Sequence, residues 1–91
     1  MKLDWTLTWG DRTFTIADLS AGDAAVVQEL TGDGWRSLDP TAGPNHAGNL
    51  LTVLVARAEG KDPADVEQSV ARLPVLDLLA ALTAPAPTAA D

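Results

Sequence analysis

The sequence predicts an α+β fold, one β-hairpin packed on a small bundle of about four helices, and three observations carry that prediction. Apolar and polar residues alternate across residues 3–9 and again across 12–16, with the period of two of a half-buried strand. Leu50, Leu51, Leu54 and Ala58 recur at helical spacing within Ala47–Gly60, the stripe of a helix that packs on one face. Caps, glycines and prolines cut the rest into short apolar runs, which read as further helices around the central one. A chain of 91 residues has room for one core. A single compact domain is expected over residues 1–83, with 84–91, APAPTAAD, as a disordered tail.

In the hairpin, Leu3, Trp5, Leu7 and Trp9 share one face and Asp4, Thr6 and Thr8 the other. Gly10-Asp11 is a two-residue turn of the Gly-X kind, and Phe14 and Ile16 continue the apolar face on the return strand. A lone hairpin is marginal in water, so this face must lie on the helices. Trp5, Trp9 and Phe14 are expected to form the lid of the core; the competing reading is an exposed aromatic platform for a partner.

A helix over about 20–31 starts at Ser20, whose hydroxyl caps it, with Asp23 at N3 in a variant of the capping box. Val26, Val27 and Leu30 are expected to face inward, and Gly32 to end the helix. Asp33–Pro40 reads as a turn and one helical turn, with Trp35 and Leu38 plugging a gap between helices. Pro40–Gly48, rich in Pro, Gly and Asn, reads as the longest internal loop.

The central helix is expected over about 47–59, capped by Asn45 or Asn49 and stopped by Gly60. Val53 and Val55 widen its stripe almost around the cylinder, which predicts burial on more than one side. A further helix over 63–73 begins with Asp62 as N-cap and Pro63 at N1 and carries Val66, Val70 and Leu73 inward. Pro74 stops or kinks it. The run 75–83 resumes a helix in which only Asp77 is charged, too apolar for an ordinary surface helix. Two fates are open to it: burial in the core, or a partner-binding patch.

Composition excludes several functions. There is no cysteine, hence no disulfide and no thiolate metal site. The net charge is −7, and Lys2, Arg12, Arg36, Arg57, Lys61 and Arg72 are scattered, which argues against nucleic acid. The N-terminus lacks the apolar core of a signal peptide, and no apolar run approaches the roughly 20 residues of a membrane span. The expected location is therefore cytoplasmic.

Reaction chemistry finds no support. His46 is the single histidine and has no second histidine or cysteine with which to share a metal. It is expected to be structural or solvent-exposed. Ser20 is explained as a cap, and neither Ser37 nor Ser69 comes with an evident base. Calcium-loop, Gly-Lys-Ser/Thr and GxGxxG patterns are absent. No cofactor and no metal are expected, and the chain is not expected to be an enzyme. Protein–protein interaction is the default that remains.

Taken together, WTLTWGDRTFTI, ADLSAGDAAVVQELTG, GWRSLDP, LLTVLVARAEG and VARLPVLDLLAAL resemble the small tail assembly chaperones of siphophages, especially those of actinobacterial phages. The resemblance spans about residues 3–83 and is one of pattern. It implies a protein of the host cytoplasm that binds the long helical tape-measure protein and keeps it soluble until tail-tube subunits polymerise around it. It also implies that a programmed frameshift can yield a longer form. The expected mode is helix-in-groove recognition, with Leu76, Leu79 and Leu82 as candidate contacts and Trp35 as an aromatic anchor. The alternatives are a structural virion component, such as a head–tail connector or minor tail protein, and a generic interaction adaptor. Self-association is compatible with each.

Overall fold

The structure, a computed structural model, describes residues 3–83. It is an α+β fold: an antiparallel N-terminal hairpin followed by four α-helices. The expected tail at 84–91 lies outside the described residues.

Strands β1 (Thr6–Trp9) and β2 (Arg12–Thr15) pair with Leu7 opposite Phe14, and both side chains are buried. Gly10 has φ +62° and Asp11 is not left-handed, as a type II′ turn requires of its first and second central positions. The strands are shorter than the alternating run. Leu3 is exposed, and Ile16 begins a 3-10 turn, Ile16–Asp18. Asp18 Oδ2 accepts the Thr15 N–H at 2.8 Å, which closes that turn.

Trp5 is buried, and its indole Nε1–H donates to the Leu38 carbonyl at 2.9 Å. Its ring thereby fills the core while its polar edge is satisfied. With Trp5 and Phe14 buried and Trp9 packed against the core, the aromatics form a lid.

Helix α1 (Ala21–Thr31) opens with the expected capping box. Ser20 Oγ accepts from the Asp23 N–H at 3.1 Å, and Asp23 Oδ2 accepts from the Ser20 N–H at 3.3 Å. Gly32 closes it. Only Val27 of the expected inward trio is buried; Val26 and Leu30 are exposed. A residue step turns a helix by about 100°, so positions 26 and 30 swing away from the side on which Val27 meets the core.

The largest correction concerns Pro40–Gly48. It is not a loop but a 3-10 turn, Pro40–Ala42, running through Gly43 into helix α2 (Pro44–Glu59). The central helix therefore starts three residues before the expected Ala47. Neither Asn45 nor Asn49 caps it; Gly43 holds the N-cap position without a side-chain bond. Pro44 occupies the first turn, where its missing N–H costs nothing. Asn49 instead donates through Nδ2 to Thr31 Oγ1 at 2.8 Å, tying α2 to α1.

Seven consecutive residues of α2, Leu50–Ala56, are buried, because β1, α1, α3 and α4 all pack on it. Each fully buried aliphatic contributes about 1.5–3 kcal/mol. Thr52 is tolerated in that run because its hydroxyl donates to the Gly48 carbonyl at 2.8 Å. Ala58 is exposed, so the stripe ends a turn earlier than its spacing predicted. Gly60, with φ +67°, terminates the helix in the left-handed conformation that other residues resist.

Helix α3 (Pro63–Ala71) is capped by Asp62, whose carboxylate accepts from the Ala64 N–H. It ends two residues short of the expected 73; Val66 and Val70 are buried, and Leu73 is partly buried beyond the helix. Pro74 separates it from α4 (Val75–Thr83) and accepts from the Asp77 and Leu78 N–H groups.

Candidate functional site: an exposed apolar helix face

Helix α4 is ordered against the core along one side only. Ala81 is buried, Leu78 and Leu82 are packed against the core cluster, and β1 and α2 lie beneath. On its other side Val75 is 59% exposed, Leu76 73% and Leu79 50%. Burial, one of the two expected fates, is thus met along one side of the helix only, since a run apolar on every side has more apolar surface than β1 and α2 can cover.

Leu79 and Leu82, with Val75 and Leu78, line one wall of a hollow of about 140 Å³, with Pro40, Pro44 and Ala47 opposite. Leu76 stands outside this hollow, on the adjoining surface. The structure therefore brings Leu79 and Leu82 together and sets Leu76 beside them.

Trp35 is not part of this site. It does not plug a gap, as its three-residue spacing from Leu38 predicted: Leu38 is buried, whereas Trp35 is 70% exposed. In the tight 3-10 turn Gly34–Leu38, only Ser37 and Leu38 point inward. Trp35 borders a separate hollow with Ile16, Leu19 and Ala24, which shares no wall residue with that of α4.

Two further hollows escaped the sequence reading. One, of about 440 Å³, lies between α2, α3 and α4, among Asn45, Gly48, Glu67, Val70, Leu73 and Val75. The next, of about 390 Å³, lies between α1 and α3, where Val26 and Leu30 meet Pro63. The i, i+4 pair Val26/Leu30 was the available signal, but it reads equally as core.

His46 Nε2 lies 2.8 Å from Asp33 Oδ2. A carboxylate only accepts, so Nε2 carries the proton, and the pair ties α2 to the start of the 3-10 turn Gly34–Leu38. Asp33 rather than the sequence-near Asp39 is its partner, and Nδ1 is buried without a hydrogen-bond partner among the described residues. Asp39 caps its own turn through Thr41. Ser37 is buried and accepts from the Asp33 N–H; Ser20 is the α1 cap. Among the described residues no three His, Cys, Asp or Glu side chains converge as a metal site requires, and no helix is long and apolar enough to cross a membrane. The α4 face thus gathers three of the exposed large apolar side chains, Val75, Leu76 and Leu79, on one helix.

Neither the protein-family models, nor the curated proteins, nor the solved structures compared with this chain gave a match.

Proposed function

We propose that the protein is a phage tail assembly chaperone that binds the tape-measure protein and keeps it soluble during tail assembly. The observation that carries this reading is the exposure of Val75, Leu76 and Leu79 on a helix whose opposite side is packed in place. A pre-ordered apolar face offers a helical client a surface without the entropy cost of folding it first. The resemblance over residues 3–83 supplies the client. In this reading the protein is a non-catalytic binder acting in the host cytoplasm, with Leu79 and Leu82 at the contact, Leu76 and Val75 around it, and the exposed Trp35 as an aromatic anchor on a separate surface.

Co-expression with a candidate tape-measure protein, followed by pull-down and size-exclusion chromatography, tests it. The expected result is soluble client only when this protein is present, with recovery lost in Leu79→Asp while the circular-dichroism spectrum is unchanged. Client that stays insoluble beside wild-type protein, or recovery indifferent to Leu79→Asp, rejects the reading.

A further inference from the structure

Helix α4 is seated more lightly than the body formed by the hairpin and α1–α3. Of residues 75–82 only Ala81 is buried, with Leu78 and Leu82 half-buried beside it. Its flanks are unfilled. The hollow of about 440 Å³ parts Val75 and Leu78 from Val70 of α3, and that of about 140 Å³ parts Leu79 and Leu82 from Pro40 and Pro44.

Polar side chains stitch the body together. Asn49 bonds Thr31, His46 bonds Asp33, Trp5 bonds the Leu38 carbonyl, and Arg57 lies 3.7 Å from Asp23. Among the described residues no side chain of residues 75–82 makes such a bond or an ion pair to another element. Helix α3 shares that lack, but it buries both Val66 and Val70. What holds α4 is therefore apolar contact alone, made by a few side chains.

The backbone divides at the same place. The Leu73 N–H donates to the Val70 carbonyl, whereas the Asp77 and Leu78 N–H groups donate to the Pro74 carbonyl. Among the described residues no backbone hydrogen bond spans the Leu73–Pro74 link. The ring of Pro74 fixes its own φ, so any turning falls on the torsions of Leu73 and leaves the bonds of α3 intact.

We infer that α4 is a strap, hinged at Leu73, that lifts off as one unit while the hairpin and α1–α3 stay folded. The closed form is the structure described above, and the open form is a minor population in exchange with it. Lifting forfeits the contacts of Leu78, Ala81 and Leu82 and bares β1, on which α4 rests. Nine residues are too few to hold a helix without tertiary contacts. Once lifted, α4 melts and its amides meet solvent together. The strap does not depend on the chaperone reading and would operate beside a different partner.

Native-state hydrogen exchange of the full chain, read by NMR at rising urea below the unfolding midpoint, tests the strap. Amides of Leu78–Leu82 are expected to share one opening, at least about a hundredfold less protected than those of Leu50–Ala56 and with a shallower urea dependence. Val27→Ala in α1, which packs on α2 and the turn Gly34–Leu38, sharpens the test by weakening the body. Protection in α2 should fall at least about tenfold, while that in α4 stays within about twofold. Ser20→Ala, a milder change to α1, should give the same contrast with a roughly fivefold fall in α2. Amides of α4 that match α2 in protection and slope, or that fall in step with it in V27A or S20A, mean that α4 opens only with the whole body and overturn the inference. Protection that declines residue by residue from Leu78 to Leu82, with no shared slope, means fraying from the end and overturns it as well.

Discussion

Helices α2 and α4 make opposite use of apolar residues. In α4 only Asp77 and Thr83 are polar, so by composition it is the more hydrophobic of the two. Yet α2, which carries asparagines, a histidine, an arginine and a glutamate, holds the uninterrupted buried run Leu50–Ala56, while α4 exposes three of its large aliphatics. The difference is one of neighbours. Strand β1, helices α1, α3 and α4 and the 3-10 turns Gly34–Leu38 and Pro40–Ala42 all pack on α2; α4 follows Pro74 and packs chiefly on β1 and α2. Burial is set by how many partners a helix has, and a sequence window reports only what the helix could bury.

A matched pair of substitutions puts that comparison under the greatest strain. Leu51→Ala in α2 should cost about 2–5 kcal/mol, since it opens a cavity at a fully enclosed site. Leu76→Ala in α4 should stay within about 0.5 kcal/mol, as surface changes do. Urea denaturation of both variants measures this, and equal losses would break the contrast. Trp5→Phe comes next. It keeps most of the ring but leaves the Leu38 carbonyl without its donor, at a cost of about 1–3 kcal/mol. Because β1 lies beneath α4, hydrogen exchange should show α4 loosening before α2 in that variant; uniform loosening would mean that α4 is held as firmly as the centre. At the α2 terminus, Gly60→Ala forces a side chain into a left-handed position and should lower stability by about 1–2 kcal/mol. Removing the α1 cap with Ser20→Ala should cost about 1 kcal/mol, readable as a modest fall in the urea midpoint. A cost there equal to that of Leu51→Ala would show that the periphery, and not α2, governs unfolding.

Local chemistry made most elements legible. Gly10-Asp11, the Ser20–Asp23 box, Asp62-Pro63 and Gly60 each satisfy or redirect particular backbone groups, and such signals act wherever the segment packs. The same kind of signal was present and outweighed at Gly43-Pro44. A stretch dense in Pro, Gly and Asn reads as a loop, yet Pro44 opens α2 by the same rule that lets Pro63 open α3. Directions of side chains were harder to read. Val26, Leu30, Trp35 and Ala58 sit at helical spacing from buried residues, but whether each meets a neighbour depends on elements remote in sequence. The site followed the same division: Leu76, Leu79 and Leu82 were visible as an apolar surplus, whereas the hollows that α4 borders, with walls drawn from α2, α3 and the 3-10 turn Pro40–Ala42, were not.

The packing of β1 against α4 also has a consequence in time. During synthesis Thr6–Trp9 emerges long before Val75–Thr83, and at ordinary elongation rates the delay is roughly 3–13 s. A hairpin closes within microseconds but is barely stable alone. Until Leu38 emerges Trp5 lacks its carbonyl partner, and through the whole interval β1 lacks α4, so the nascent chain presents Leu7 to whatever waits at the ribosome exit. A protein proposed to shelter another chain thus passes its own first seconds with its aromatic lid unsheltered.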